Sequence, residues 1–354
     1  MIPAEGDAMS PGSLMAAEIA AQPEVLAGQV ETQLTAIRAV ADRVRAADPR
    51  FVLLAARGTS DHAALYGKYL LETELGLPCG LASMSTLTAQ RATPRWRDTL
   101  WIAVSQSGGS PDLAESTAVA ARAGALTLAV TNAPDSPLAQ AAQLHVDIQA
   151  GPELSVAATK SYTAQLQALW LLVDAWRGGD ARQVRGIPET VQRALSEDAV
   201  SELAATYRFA DRLVTVGRGF SYPTARESAL KLMETTYVAA QAFSGADLLH
   251  GPVAMVDAHR PVIVAAPEGN GGRLLRPVLA RLREVGADVC LVGARPLADE
   301  FRISRVLGAS LLVEEQLSPL VQIVPLQALA REMAVARGFD PDRPRGLSKV
   351  TETR

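Results

Sequence analysis

Along this chain, short apolar runs rich in β-branched residues alternate with Ala- and Leu-rich runs of helical period, and the alternation occurs twice over. Strands interleaved with helices in this way build a parallel sheet covered on both faces. The spacing predicts strands at 51–56, 100–105, 126–131 and 144–148 in the first half, and at 213–217, 261–266, 288–292 and 311–313 in the second. The halves also match locally: ARGTSDHAALYGKYLL and VGRGFSYPTARESALKL set Arg57-Gly58 beside Arg218-Gly219, each between a strand and a helix. This predicts a duplicated α/β domain, each copy a parallel sheet flanked by helices in a Rossmann-like three-layer sandwich. Arg177-Gly178-Gly179-Asp180 and Ile187-Pro188-Glu189-Thr190 read as a connection. The expected division is an N-terminal segment and helix over 1–40, a first domain over 41–190, a second over 191–340 and a tail over 341–354.

Composition narrows the function. A length of 354 residues suits about two domains, and 48% hydrophobic with 20% charged residues is a soluble globular balance. A net charge of -4 argues against a nucleic-acid surface, which usually carries a basic excess. The most apolar helical run, 164–176, is too short to span a bilayer. The N-terminus lacks a basic region followed by an apolar stretch, so no secretory signal and no membrane partner are expected, and the location expected is cytoplasmic. Cys79 and Cys290 lie in or beside apolar runs and read as core thiols. His62, His145, His250 and His259 show neither the i, i+4 pairing nor the Cys partners of a zinc site, so no metal and no other cofactor are expected.

Three segments place small donors where a strand hands over to a helix, the position at which doubly wound sheets bind ligands. AVSQSGGSPDL carries Ser105, Gln106, Ser107 and Ser110 around Gly108 and Gly109; Arg57-Gly58-Thr59-Ser60 repeats the arrangement, and ELSVAATKS, from Glu153, is a third. Helix N-terminal N–H groups and hydroxyls suit a phosphate without a lysine. The alternative is that Ser110 and Asp112 only cap a helix. Neither the Gly-x-Gly-x-x-Gly spacing nor a Walker lysine is present, which disfavours dinucleotides and nucleoside triphosphates. In the second half Glu227, Lys231 and Glu234 fall at i, i+4 and i+7 of a predicted helix, either a solvated salt-bridge stripe or a reactive group.

The set SQSGGS, GTS, E-x-x-VAATKS, YPTARESALKLMETTY and SGADLLHGP, in this order and spacing, resembles the isomerase half of glucosamine-6-phosphate synthase, built of two tandem sugar-isomerase (SIS) domains. The resemblance runs from about Met15 to the C-terminal RPRGLSK. It implies that Ser105, Gln106, Ser107 and Ser110 hold a sugar phosphate, with Gly58, Thr59, Ser60, Val156, Ala158, Glu227 and Ser348 around the rest of the substrate. It further implies that Glu234 moves a proton between C1 and C2, assisted by Lys231. By the same resemblance His250 opens the sugar ring from the neighbouring subunit of a homodimer, and Lys349, in a tail folded over the site, can form a Schiff base with the open-chain keto sugar.

Three departures stand out. The few residues before the SIS region lead to the expectation of no counterpart to the synthase's glutaminase domain, Arg57 stands where the synthase has cysteine before Gly-Thr-Ser, and Ser348-Lys349 replaces Ala-Lys. These place the chain nearer the stand-alone SIS amino-sugar phosphate deaminases. The expected reaction is therefore glucosamine 6-phosphate and water to fructose 6-phosphate and ammonia, without metal. Alternatives are an isomerising synthase fed by free ammonia or a partner glutaminase, a lyase for fructosamine phosphates, and a sugar-phosphate sensor without catalysis.

Overall fold

The computed structural model describes residues 10–309 and 311–349; the first nine residues, Ser310 and the last five, which include the end of the expected tail, lie outside it. Two five-stranded sheets form, every pairing in them parallel. The first contains β1 (Phe51–Ala55), β2 (Cys79–Leu81), β3 (Thr99–Ser105), β4 (Leu126–Thr131) and β5 (Leu144–Asp147), in the order β2-β1-β3-β4-β5. The second contains β6 (Arg212–Gly217), β7 (Ala239–Ser244), β8 (Pro261–Ala266), β9 (Asp288–Gly293) and β10 (Arg305–Leu307), in the order β10-β9-β8-β6-β7. Counted within each half, both orders are 2-1-3-4-5, so the duplication legible in the Arg-Gly match extends to topology. Gly58 and Gly219, the matched glycines, both take the left-handed backbone, with φ of 55° and 57°.

Alternation along the strands divides their side chains between layers. Leu100, Ile102 and Val104 of β3 enter one core, and Trp101 and Ala103 enter another on the opposite face. In the second sheet Ile263 faces the first of these cores, while Val262 and Val264 face a third. The core common to both sheets also takes side chains from the helices Gln22–Ala47, Thr59–Glu74, Lys160–Trp176, Ser221–Thr236 and Ser318–Ala336. A single helical layer is thus shared between the halves, and it joins them. The most apolar helical run, 164–176, lies in Lys160–Trp176, every residue of which is buried. Among the described residues no helix is long and apolar enough to cross a membrane.

Three strands escaped the sequence reading. β2 and β10 have three residues each, and β7 reads AAQAFS, too poor in β-branched residues to stand out; all three sit at sheet edges. The strand expected at 311–313 does not form. Leu311 is buried from an irregular segment, and the edge position is taken by β10 six residues earlier. Cys79 and Cys290 are free thiols, and burial pushes both up to about 12, as core thiols require.

Buried amides stitch the helical layer together. Gln22 Nε2 donates to Gln327 Oε1 at 3.0 Å, Thr163 Oγ1 donates to Gln22 Oε1 at 2.9 Å, and Gln327 Nε2 donates to the Thr159 carbonyl at 3.2 Å. Removing one member leaves buried partners without a bond. Gln22→Leu should lower stability by about 1–3 kcal/mol, read as a shift of the urea midpoint at unchanged slope.

Candidate active site

A cavity of about 320 Å³ opens at the carboxyl ends of β1 and β3. These neighbours flank the point where the first sheet reverses its direction of growth, the crevice in which such sheets hold ligands. One wall is the segment after β3. Gly108 has φ 61°, and a β-carbon there would lie 2.1 Å from Ser136 Oγ, so only glycine lets this loop close. The Gly108 N–H donates to Ser105 Oγ at 3.0 Å and the Gly109 N–H to Ser107 Oγ at 3.2 Å. Each serine oxygen is thereby fixed as an acceptor, and its own O–H is left to donate to a ligand. Ser110 occupies the cap position of the helix Pro111–Arg122 but makes no side-chain cap bond, and Asp112 is engaged with Arg57. The helix-capping alternative therefore does not account for these residues.

Arg57, Gly58, Thr59 and Ser60 form the adjoining wall. Arg57 Nη2 donates to Asp112 Oδ2 at 2.8 Å, which holds a half-exposed guanidinium at the cavity wall.

The third wall is the turn holding Val156 and Ala158. Glu153, buried beneath it, accepts the N–H groups of Thr159 at 2.9 Å and Ser161 at 3.0 Å, the Ser161 hydroxyl at 2.7 Å and the Lys349 ammonium at 2.9 Å. Burial pushes the Glu153 carboxyl up, but Lys349 and the bonds from Ser161 and Thr159 outweigh it and hold the group below its ordinary value. Glu18 takes the next N–H groups, those of Leu154 and Ser155. It is pushed the other way, first by burial, with the charge of Glu153 adding to the rise. Lys349 also donates to the Ser155 carbonyl at 2.7 Å, so the tail is fastened to this turn and lines the cavity with Leu347 and Ser348.

The fourth wall comes from the second half of the chain. On the helix Ser221–Thr236, Lys231 Nζ lies 2.5 Å from Glu234 Oε2 and 3.4 Å from Glu227 Oε1, and donates to Thr59 Oγ1 at 3.0 Å. Burial presses its pKa down, yet Glu234 and then Glu227 more than reverse this, so Lys231 stays an ammonium above its ordinary range. Set between two carboxylates, Lys231 is suited to act as a cation rather than as a neutral base. Glu234, 22% exposed and lining the cavity, is the group open to a substrate. A solvated charge stripe is excluded, because Lys231 and Glu227 are almost wholly buried.

The cavity brings together Gly58, Thr59, Ser60, Ser105, Gln106, Ser107, Ser110, Val156, Ala158, Lys231, Glu234, Ser348 and Lys349. Glu227 lies behind the wall, with both oxygens bonded inside the protein. His250 does not line the cavity of its own chain; it is exposed on the turn after the helix Gly245–Leu249. The sequence assigns no site role to Glu153, His62 or Leu347, and marks Arg57 only as part of the Arg-Gly turn and as a departure from the synthase. Glu153 opens a motif that had been singled out, but nothing in the sequence marks it as the partner of Lys349.

The SIS domain family model matches residues 47–175 and 206–336. A glutamine–fructose-6-phosphate aminotransferase [isomerizing] from Methanothermobacter thermautotrophicus is 40% identical over 308 residues, covering 84% of this chain and 51% of that protein. The chain thus spans about half the length of this curated relative. A solved chain from Silicibacter pomeroyi designated a phosphosugar isomerase is 34% identical, with a TM-score of 0.81 over 93% of this chain and 99% of its own. The C-terminal domain of glucosamine-fructose-6-phosphate aminotransferase from Francisella tularensis is 25% identical, with a TM-score of 0.83 over 96% and 100%.

Two tests follow from the geometry. Gly108→Ala should strain the cradle and weaken inorganic phosphate or sugar-phosphate binding at least about tenfold in calorimetry. The Glu153 carboxyl is lower in the folded state, so its contribution is complete above the unfolded value near pH 4.3 and is lost as pH falls through the folded one. Amide protection in 345–349 should hold from about pH 5 to 8 and drop below about 4. In Glu153→Gln it should be reduced throughout that range.

Proposed function

The chain belongs to the SIS domain family, and from that membership we propose that it is a sugar-phosphate isomerising enzyme whose reaction is the deamination of glucosamine 6-phosphate to fructose 6-phosphate and ammonia. The observation that carries this reading is that one cavity has a hydroxyl and N–H cradle on one side and the Lys231–Glu234 pair on another. The cradle suits the phosphate, and the carboxylate suits proton transfer at the far end of a short sugar chain.

The chemistry follows from the groups present. Ring opening moves the O1 proton to O5 and frees the C1 aldehyde, a step assigned to His250 of a second copy of the chain. Glu234 removes the C2 proton, while the Lys231 ammonium beside it stabilises the negative charge developing on O1. Returning the proton to C1, with an amine N–H proton passing to O1, leaves a hydroxymethyl group at C1 and an imine at C2. Water adds to that carbon, and the C2–N bond breaks to give fructose 6-phosphate and ammonia. Lys349 lines the same cavity beside Glu153; in this reading it gives a proton to that carboxylate, its neutral amine adds to the C2 imine and expels ammonia, and water then hydrolyses the lysine imine to release fructose 6-phosphate and regenerate the amine.

The synthetic direction is the second reading, favoured by the names of the relatives and needing the same residues with ammonia supplied.

Glucosamine 6-phosphate should yield equal amounts of ammonia and fructose 6-phosphate in the presence of chelator and absence of glutamine. Glu234→Gln should lower kcat by about 10²–10⁴. Release without loss in the variant would remove Glu234 from the mechanism; no release from this sugar, with turnover of fructosamine phosphates or only synthesis from ammonia, would overturn the deaminase.

The shared site is a separate proposal, supported by the exposed position of His250. Neither His250→Ala nor Glu234→Gln chains alone should turn over the cyclic sugar. Equal mixtures should recover about a quarter of wild-type activity, since half the dimers are mixed and each has one intact site. No recovery in verified mixed dimers would show that the site is not shared.

A further inference from the structure

His62 lies on the helix Thr59–Glu74, is 7% exposed, and has no part in the chemistry above. Its Nδ1 is 2.7 Å from Oε2 of Glu227, whose side chain has no exposure at all. The other oxygen of Glu227 accepts the Thr59 hydroxyl at 3.0 Å. Thr59 Oγ1 in turn accepts from Lys231, and Lys231 is bonded to Glu234. A continuous row therefore runs from His62 through Glu227, Thr59 and Lys231 to the one carboxylate of the row that faces the cavity.

Two physical constraints fall on the inner end of this row. A carboxylate removed from water must have its oxygens bonded, and Oε2 of Glu227 is held by His62. Lys231 is also one cation facing two carboxylates, 2.5 Å from Glu234 but 3.4 Å from Glu227. If Glu227 lost its second partner it would compete for the ammonium and draw it away from Glu234. We propose that His62 is a positioning residue for the proton transfer: by donating from Nδ1 to Glu227 it satisfies that carboxylate, and so leaves Lys231 aimed at Glu234 and at the substrate oxygen beside it. This rests on the reading of Glu234 as the base.

The other titratable groups around the row do not supply this role. Tyr162, from the helix Lys160–Trp176, is held neutral, well above its ordinary value, by burial and then by the charge of Glu227. Tyr66 is likewise held neutral, by burial first. Glu153 acts on Lys231 from the third wall and is itself paired with Lys349.

The test separates hydrogen bonding from bulk and from charge. In His62→Asn the carboxamide nitrogen takes the place of Nδ1 without a titratable ring; in His62→Leu the donor is gone. Both are compared with wild type and Glu234→Gln for kcat, KM and the pH dependence of kcat on glucosamine 6-phosphate, with folding checked by thermal unfolding. His62→Leu should lose about 10–10²-fold in kcat, with KM within about threefold and the acid limb of the profile displaced. His62→Asn should stay within about threefold of wild type, with an unchanged profile. A folded His62→Leu protein with wild-type kcat and profile would overturn the proposal, as would a folded His62→Asn protein as impaired as His62→Leu. Retained activity in Glu234→Gln would instead bring down the parent reading. Should His62→Leu not fold, imidazole ¹⁵N spectra of the wild-type chain decide: a protonated, hydrogen-bonded Nδ1 is expected, and an unprotonated Nδ1 excludes the role.

Discussion

The buried ammonium of Lys231 is the interaction on which the arrangement of the two halves depends. It is contributed by the second half, bonds Thr59 of the first, and lies between Glu227 and Glu234 of its own helix. A charge in this position is tolerable only while all its partners are in place, because breaking one member of a buried pair leaves an uncompensated ion. The seam between the domains and the reactive centre are consequently one structure. The same helical layer that fills the core between the sheets delivers Glu234 to the end of β1 and β3. A cavity built this way requires both domains to be docked.

Duplication of the fold has not produced two equivalent sites. The segment after β8 corresponds to the cradle after β3, and its N–H groups also point toward an anion. That anion is part of the chain: Glu315 accepts from Asn270 at 2.7 Å and from Gly271 at 2.8 Å. The carboxylate closes the second crevice from within and fastens the start of the helix Ser318–Ala336 to the second sheet. One residue further on, the Gln316 carbonyl accepts the hydroxyl of Tyr66, which belongs to the helix that begins at Thr59. The second domain thus spends its cradle on holding the first domain's helix in register.

What the sequence made legible is what local chemistry dictates. The central strands announce themselves by apolar runs, the duplication by Arg-Gly turns, and the cradle by a concentration of hydroxyl residues that few other structures need. Edge strands of three residues carry no such pattern, and the error at 311–313 came from reading three consecutive apolar residues as a strand when only Leu311 of the three is buried, and that from an irregular segment. The partners of reactive groups were least visible. Glu153 and Lys349 are 196 positions apart, and His62 and Glu227 are 165 apart. Spacing rules reach only along one helix or strand, so contacts made by folding two domains together lie beyond them.

The electrostatics of the cavity explain why the cradle is built from neutral donors. Lys231 is committed to Glu234 and Glu227, Lys349 to Glu153, and Arg57 to Asp112, so the cations at this site are outnumbered by carboxylates before any ligand arrives. A free lysine on the phosphate side would be drawn into the same network and would compete with the pairs that aim the reactive groups. Serine hydroxyls and backbone N–H groups attract an anion through fixed dipoles and have no charge to surrender. They can therefore hold one end of the substrate without disturbing the balance at the other. Arg57 is the exception that fits the rule: half-exposed and fastened by Asp112 at the cavity wall, it adds attraction for an incoming anion while its own geometry is set independently of Lys231.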